Sequence, residues 1–442
     1  MSYIINTKEL AKTPLRKKAL AIVEAGYAAI DIKKSIKKRI TVQKGVLTVE
    51  LPDKKVGNIR IDLNDYKRVF LVGIGKGSAY ASVALASVFK DRMTRGIAID
   101  VETVANKNTR LELLVGTHPL PSPKNVKATQ KIIRMVSNLE ADDLVIVCMC
   151  GGGSALAVVS DEELQASTTI FKELTKAGAN IIELNTVRKH VSDVKGGNLA
   201  KTIYPATLLT LMASDVIGND MEMIASGPTI CDTTTVAHAA AVLKKYGVSG
   251  GGITLKETPK EEKYFKNTKN VLFVSNNDAV QAMAETAKKL GFKSKIKSVT
   301  FEGEAKEALV PIVRTIKKGE AIFMAGETTV TLKDIAADKK LGKGGRNLEV
   351  ALGVVHAYAE KPEKLAGIIA ISYASDGHDN SIAAGGIADA YTLKAARTAK
   401  QDVGNALASH ASLDFFKKNG NMISVKTESF NVADLMLVIR EN

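Results

Sequence analysis

Apolar residues along this chain fall into short runs that end at glycine. Arg68–Val72 leads into the glycines of 73–77 and then into an alanine-rich stretch, Ser78–Lys90, that reads as a helix. Gly96–Val101, Leu111–Val115, Leu144–Met149 and Ala206–Ala213 are further apolar runs of strand length, and Lys124–Leu139 has helical spacing. Buried strands alternating with helices predict an α/β fold: a mostly parallel sheet with helices on both faces. The first forty residues read as helical, with Leu20, Val23, Tyr27 and Ile30 on one face.

A polar stretch interrupts this grammar. GVSGGG, from Gly247, is followed by KETPKEEKYFKNTKN, which ends at Asn270 and has little apolar periodicity. It predicts an N-terminal α/β domain over 1–246, a linker or surface excursion over 247–270, and a C-terminal α/β domain over 271–442. Within the last, Val271–Val274, Lys295–Val299, Ala321–Met324 and Gly367–Ser372 read as strands. Asp278–Leu290, Glu302–Lys317 and Asn347–Tyr358 read as helices.

Charge narrows the partners. Over 442 residues, 62 Lys and Arg stand against 47 Asp and Glu, a formal charge of +15. The densest run, IKKSIKKR (32–39), lies on a helical segment without interleaved aromatics, so nucleic acid is not expected and small anionic ligands are. Cys148, Cys150 and Cys231 form neither a disulfide framework nor a zinc spacing, which fits reduced thiols and a cytoplasmic location. Leu144–Ser160 carries no charge, but its three consecutive glycines argue against a membrane span, and no apolar leader opens the chain. A homodimer is an open expectation.

Candidate chemistry sits in the turns, because parallel sheets bind ligands beyond the carboxyl ends of their strands. In LVIVCMCGGGSALA, Gly151, Gly152, Gly153 and Ser154 make a turn into a helix, suited to a phosphate or carboxylate. LVGIGKGSA places Gly75, Lys76 and Gly77 in another such turn. Ser78 stands where a dinucleotide fingerprint needs glycine, and the spacing is not that of a Walker loop. GTHPLPSPKN offers His118 on a stiff loop. LNTVRKHVSDVKGGNLA carries Arg188, Asp193 and Lys195, with Arg188, Ser192 and Lys195 on one face. ASDVIGNDMEMIASGPT supplies Asp215, Asn219, Asp220 and Glu222, carboxylates suited to Mg²⁺ shared with phosphate oxygens. AGETTVTL holds Glu327, GKGGRNLEVAL places Arg346 at a helix start, and SYASDGHDNS groups Asp376, His378 and Asp379. The set points to phosphoryl transfer to an anionic substrate. Asp100, at a strand end, leaves a nicotinamide-dependent hydroxypyruvate reductase as the alternative, and a non-catalytic sugar-acid or nucleotide sensor as a second.

In order along the chain, VGIGKGS, GTHPLP, CGGGSALA, LNTVRKH, KGGNLA, SDVIGND, IASGPT, GKGGRN and SDGHD resemble the class II glycerate kinases, the glycerate 2-kinase family with a C-terminal MOFRL domain. The resemblance implies two α/β domains, the first Rossmann-like, with the active site in the interdomain cleft. It implies phosphorylation of D-glycerate by ATP at the 2-hydroxyl, with Mg²⁺ or another divalent cation. Lys76 and Arg346 match the residues central to the family's site. On that reading Gly75, Gly77, Gly151–Ser154, Lys195 and Asn219 face the nucleotide phosphates, and Asp215 or Asp220 the metal. Lys76, Arg188, Arg346 and Glu327 face glycerate, and Asp193 or Asp376 orients its hydroxyl. The late motif departs from the family's TDGxDGPT pattern, with Asn380 in place of a glycine.

Overall fold

The computed structural model describes residues 2–52, 56–248, 253–332, 341–426 and 431–442. They form two units. One is Ile32–Val274; the other is discontinuous, Met1–Asp31 with Ser275–Asn442. That division departs from the sequence-based boundaries at both ends.

The first unit opens with a small antiparallel sheet of β1 (Ile40–Gln43), β2 (Val46–Val49) and β3 (Ile59–Asp62). Its main sheet has β4 (Arg68–Ile74), β5 (Arg95–Asp100), β6 (Leu111–Val115), β7 (Asp143–Cys150), β8 (Thr207–Ala213) and β9 (Thr268–Val274) in the order β6-β5-β4-β7-β8-β9. All five pairings are parallel. The chain therefore turns at β4 and β7, whose carboxyl ends are the switch point where such sheets bind ligands. Every residue of β7 is buried, as expected of a central strand covered on both faces.

The predicted linker is instead part of this unit. Lys256 N donates to His190 O at 2.7 Å, Lys260 Nζ donates to Asp232 O at 2.6 Å, and Thr258 is buried. Ser249, Gly250, Gly251 and Gly252 lie outside the described residues. Val271–Val274, predicted as the first strand of the second domain, closes the first sheet as the end of β9, alongside β8.

The second unit carries β10 (Lys293–Phe301), β11 (Glu320–Gly326), β12 (Ile368–Ala374), β13 (Gly385–Asp389), β14 (Met422–Ile423) and β15 (Asp434–Arg440), ordered β10-β11-β15-β12-β13-β14. Only β10 and β11 pair in parallel; the other pairings are antiparallel. The returning strand β15 inserts between β11 and β12, a topology that the apolar runs do not reveal. The predicted helix Glu302–Lys317 is broken, into a 3₁₀ turn at Ala305–Glu307 and a helix at Val310–Thr315. Pro311 explains the late start, since proline fits only the first turn of a helix. The N-terminal helix Pro14–Ile30 belongs here, packed on the helix Asn276–Lys289. Buried Arg16 forks onto Asp389 with two 2.7 Å bonds, and Tyr27 OH donates to Ala374 O at 2.9 Å. Among the described residues, no helix is long and apolar enough to cross a membrane.

Candidate active site

Two clusters sit at the strand ends, one in each unit. In the first unit the two glycine turns have opposite uses. The turn after β4 spends its amides internally. Gly75 N donates to Ile99 O at 3.2 Å and Lys76 N to Gly151 O at 2.9 Å. The Gly77 and Ala79 amides go to the Asp100 carboxylate, with Ala79 at 2.9 Å. Asp100 is fully buried and takes Val101 N at 2.7 Å as well. Gly75 and Gly77 are therefore not phosphate donors, and Asp100 is a helix cap rather than a ribose contact. What this turn presents is the Lys76 side chain.

The turn after β7 is the open one. Among the described residues, the Gly152, Gly153 and Ser154 amides make no backbone hydrogen bond. Gly152 adopts φ +78°, which side chains rarely accept. A methyl group there would fall 3.1 Å from His118 Cδ2 and 3.2 Å from Lys76 Cε, so both side chains flank this residue.

Arg188 completes the cluster. Its pKa falls to about 10 because its guanidinium is desolvated. Its contacts are Asn185 Oδ1 at 3.4 Å and the Phe171 ring, whose centroid is 5.5 Å away. Among the described residues, neither Lys76 nor Arg188 has a carboxylate within ion-pair reach. His118 feels both. Loss of hydration on its packed side comes first, then the charges of Lys76 and Arg188, and its pKa drops to about 4 although the residue is exposed. Its imidazole is therefore neutral at physiological pH. Uncompensated cations and unspent amides around one turn make an anion site.

Asn185 and Ser226 join this cluster, although the sequence reading did not single them out. Ser226 Oγ donates to Asn185 Oδ1 at 3.1 Å and lies 2.8 Å from Ser154 Oγ. Ala225 and Ser226 hold φ of +52° and +61°, a strained pair of a kind concentrated at functional loops. The IASGPT motif was the available signal, but its chemistry depends on a backbone shape that sequence does not state.

Other expected ligands are engaged elsewhere. Lys195 is fully buried, and its Nζ donates to Ala157 O and Glu163 Oε1, each at 2.7 Å, so it ties the scaffold rather than a phosphate. Asp193 is about half exposed and held through both oxygens by Lys256 at 2.9 Å. Asp220 is exposed and accepts Glu222 N at 2.9 Å in a local turn. Asn219, at φ +56°, shapes the same loop. Asp215 is pressed against Gly151. Among the described residues, no group of three or more His, Cys, Asp or Glu is placed to hold a metal. A single carboxylate beside a glycine turn is a donor set of the kind Mg²⁺ accepts, since that ion keeps most of its shell as water and ligand oxygen.

In the second unit, Asp434 opens β15 opposite Gly326 of β11 and Ala374 of β12. This register brings the turns after both strands to Arg346. Arg346 bonds Asp434 and Glu327 through its guanidinium and so is not a free carboxylate clamp. Asn347 Nδ2 donates to Asp434 at 2.8 Å. Asp379 accepts Asn347 N at 3.0 Å and Leu348 N at 2.8 Å, capping the helix whose N-terminus the sequence offered to an anion. Burial raises the Asp379 pKa to about 6, and Asp434 adds to the effect. Asp376 is half-buried and accepts His378 N at 2.9 Å in an Asx turn.

Two family models match, one described as a domain of unknown function (DUF4147) over residues 18–252 and the MOFRL family over residues 320–434. The chain is 33% identical over 425 residues to the D-glycerate 2-kinase of Thermotoga maritima, covering 91% of this chain and 98% of that protein. It belongs to the glycerate 2-kinase, MOFRL-domain family. A crystal structure of glycerate kinase from Thermotoga maritima matches at a TM-score of 0.81 and 28% identity, covering 96% of this chain and 99% of that one. A relative from Agrobacterium vitis that carries the name of a hydroxypyruvate reductase is 34% identical over 391 residues, 84% of this chain and 87% of its own. The lysine of this chain's GKG turn is Lys76 and the arginine of its GGRN turn is Arg346.

Proposed function

We propose that this protein transfers the γ-phosphoryl group of ATP to the 2-hydroxyl of D-glycerate, giving 2-phosphoglycerate and ADP. One observation carries the reading: among the described residues, Lys76 and Arg188 stand without carboxylate partners beside the open amides of Gly152, Gly153 and Ser154. Phosphoryl transfer asks a protein mainly to position groups and neutralise charge, and this cluster supplies fixed positive charge in a partly desolvated setting. Asp215 is the residue that would hold Mg²⁺, which when bound supplies charge neutralisation on the phosphate oxygens.

In the second unit the candidate groups are Arg346 and Asp376. Arg346 is oriented by Asp434, and Asp376 is the better candidate than Asp193 for orienting the hydroxyl, since among the described residues no cation holds it. Three free thiols, two of them fully buried, fit a reducing cytoplasm. The reductase alternative loses its ribose contact, because Asp100 spends both oxygens on amides.

³¹P NMR of the product formed from Mg-ATP and D-glycerate tests the proposal. A resonance of 2-phosphoglycerate is expected; a 3-phosphoglycerate resonance overturns the regiochemistry. Oxidation of NADH by hydroxypyruvate, followed at 340 nm, would revive the reductase.

A further inference from the structure

The hydrogen bonds behind the open turn fix the direction of one proton. Asn185 Oδ1 faces Arg188 Nη1, which can only donate, while Asn185 Nδ2 points at Met223 Sδ at 3.4 Å. The amide orientation is thereby set, with its oxygen toward the guanidinium. The Ser226 hydroxyl has one hydrogen and donates it to that oxygen at 3.1 Å. In the 2.8 Å contact between Ser154 and Ser226, Ser226 must then be the acceptor. The single hydrogen of Ser154 is consumed, and its Oγ turns lone pairs toward the open side of a half-buried residue.

Apart from the neutral imidazole of His118, which accepts on one ring nitrogen, the rest of the cluster donates: three amides, one ammonium and one guanidinium. An anion satisfies those groups, but it repels the lone pairs of Ser154. The ligand that fits the whole set joins an anionic group to a hydroxyl.

Building on the proposed function, we infer that Ser154 Oγ is the hydrogen-bond acceptor that reads a hydroxyl of the hydroxy-acid substrate, and not a donor to phosphate. Ser226 and Asn185 are positioning residues that enforce this polarity. Fully buried Ser226, held at φ +61°, has no solvent alternative for its hydroxyl.

The test compares D-glycerate with 3-hydroxypropanoate, which lacks the 2-hydroxyl, and D-lactate, which lacks the 3-hydroxyl. Their affinities for the wild type and Ser154→Ala are measured by calorimetry and as KM or Ki. Losing one neutral hydrogen bond should weaken D-glycerate about tenfold. One deoxy analogue, the one missing the hydroxyl that Ser154 reads, should bind both proteins equally. Ser226→Ala, which frees the Ser154 proton, should reduce the preference for glycerate over that analogue with kcat much less affected. If Ser226→Ala does not fold, Ser154→Cys, a poor acceptor of similar shape, should give the same loss of preference.

Equal weakening of all three acids in Ser154→Ala would make Ser154 an anion donor and overturn the inference. So would unchanged affinities, or a change confined to the Mg²⁺ concentration required. Wild-type protein that binds glycerate without phosphorylating it would remove the kinase reading and leave this one standing. Turnover with no hydroxyl-specific loss would do the reverse.

Discussion

Asp215 lies directly over Gly151. A Cβ built on that glycine would fall 1.8 Å from Asp215 Oδ2. The contact explains why the first glycine of CGGGS carries no side chain, and it makes that glycine a lever on the carboxylate. Gly151→Ala should push the end of a short side chain aside, a small folding cost, while displacing the residue proposed to hold Mg²⁺. A fall of about 10²-fold in kcat/KM is expected, the scale of one lost charge contact. The melting temperature should drop by only a few degrees, as for a change of about 1 kcal/mol. Steady-state assays across a Mg²⁺ titration, with calorimetric melts, check both. Unchanged turnover would remove Asp215 from the site.

Lys76→Met removes a charge that no carboxylate balances among the described residues. kcat/KM should fall by about 10²-fold or more, since one charge-stabilising contact is worth about 3 kcal/mol. The same substitution has a second reporter. Lys76 helps hold His118 in its neutral form with a pKa near 4, so its loss should raise that value toward 6.5. A histidine NMR titration, assigned with His118→Asn, reads the shift. An unmoved His118 resonance would mean that the two side chains do not share a field.

The parallel sheet was legible because its buried strands are continuous apolar runs closed by glycine, and β7 needed no alternation to be recognised. The discontinuous unit was not legible. The apolar face of Pro14–Ile30 announces that the helix packs, not what it packs on, and β15 looks like any other terminal strand. The site shows the same limit. Lys76 and Lys195 are each lysines beside glycine turns. One faces an open turn, while the other is neutralised by Glu163 on a distant helix that no local spacing reveals. Arg346 was visible in its motif, whereas its partner Asp434 lies 88 residues away.

Asp379 should leave a pH signature on stability. Its folded pKa, about 6, lies above the ordinary 3.8, so the native state binds the proton more tightly than the unfolded chain. Its contribution is most favourable below pH 4 and is lost as pH rises through 6. Asp379→Asn is neutral throughout and keeps one capping oxygen. The stability of this variant relative to wild type should therefore improve between pH 4 and 6 and level off above. Urea melts at half-unit intervals provide the comparison. A flat difference across that window would place the proton elsewhere in the Arg346 network.

Arg16 ties the N-terminal helix to the second unit. Its guanidinium is wholly buried, forks onto Asp389 and donates to Thr392 Oγ1 at 2.9 Å, with Tyr391 stacked 4.5 Å from it. Arg16→Met leaves the Asp389 carboxylate buried and unpaired, which should cost about 3–5 kcal/mol. Adding Asp389→Asn removes the stranded charge but keeps an oxygen for the Thr392 amide that Asp389 now caps at 2.8 Å, so part of the loss should return. Because the pair lies within one unit, hydrogen exchange should rise first in β13 and the helix Ala390–Thr398, with β4 and β7 still protected. Early loss of protection in β4 and β7 instead would show that the first 31 residues stabilise the other sheet.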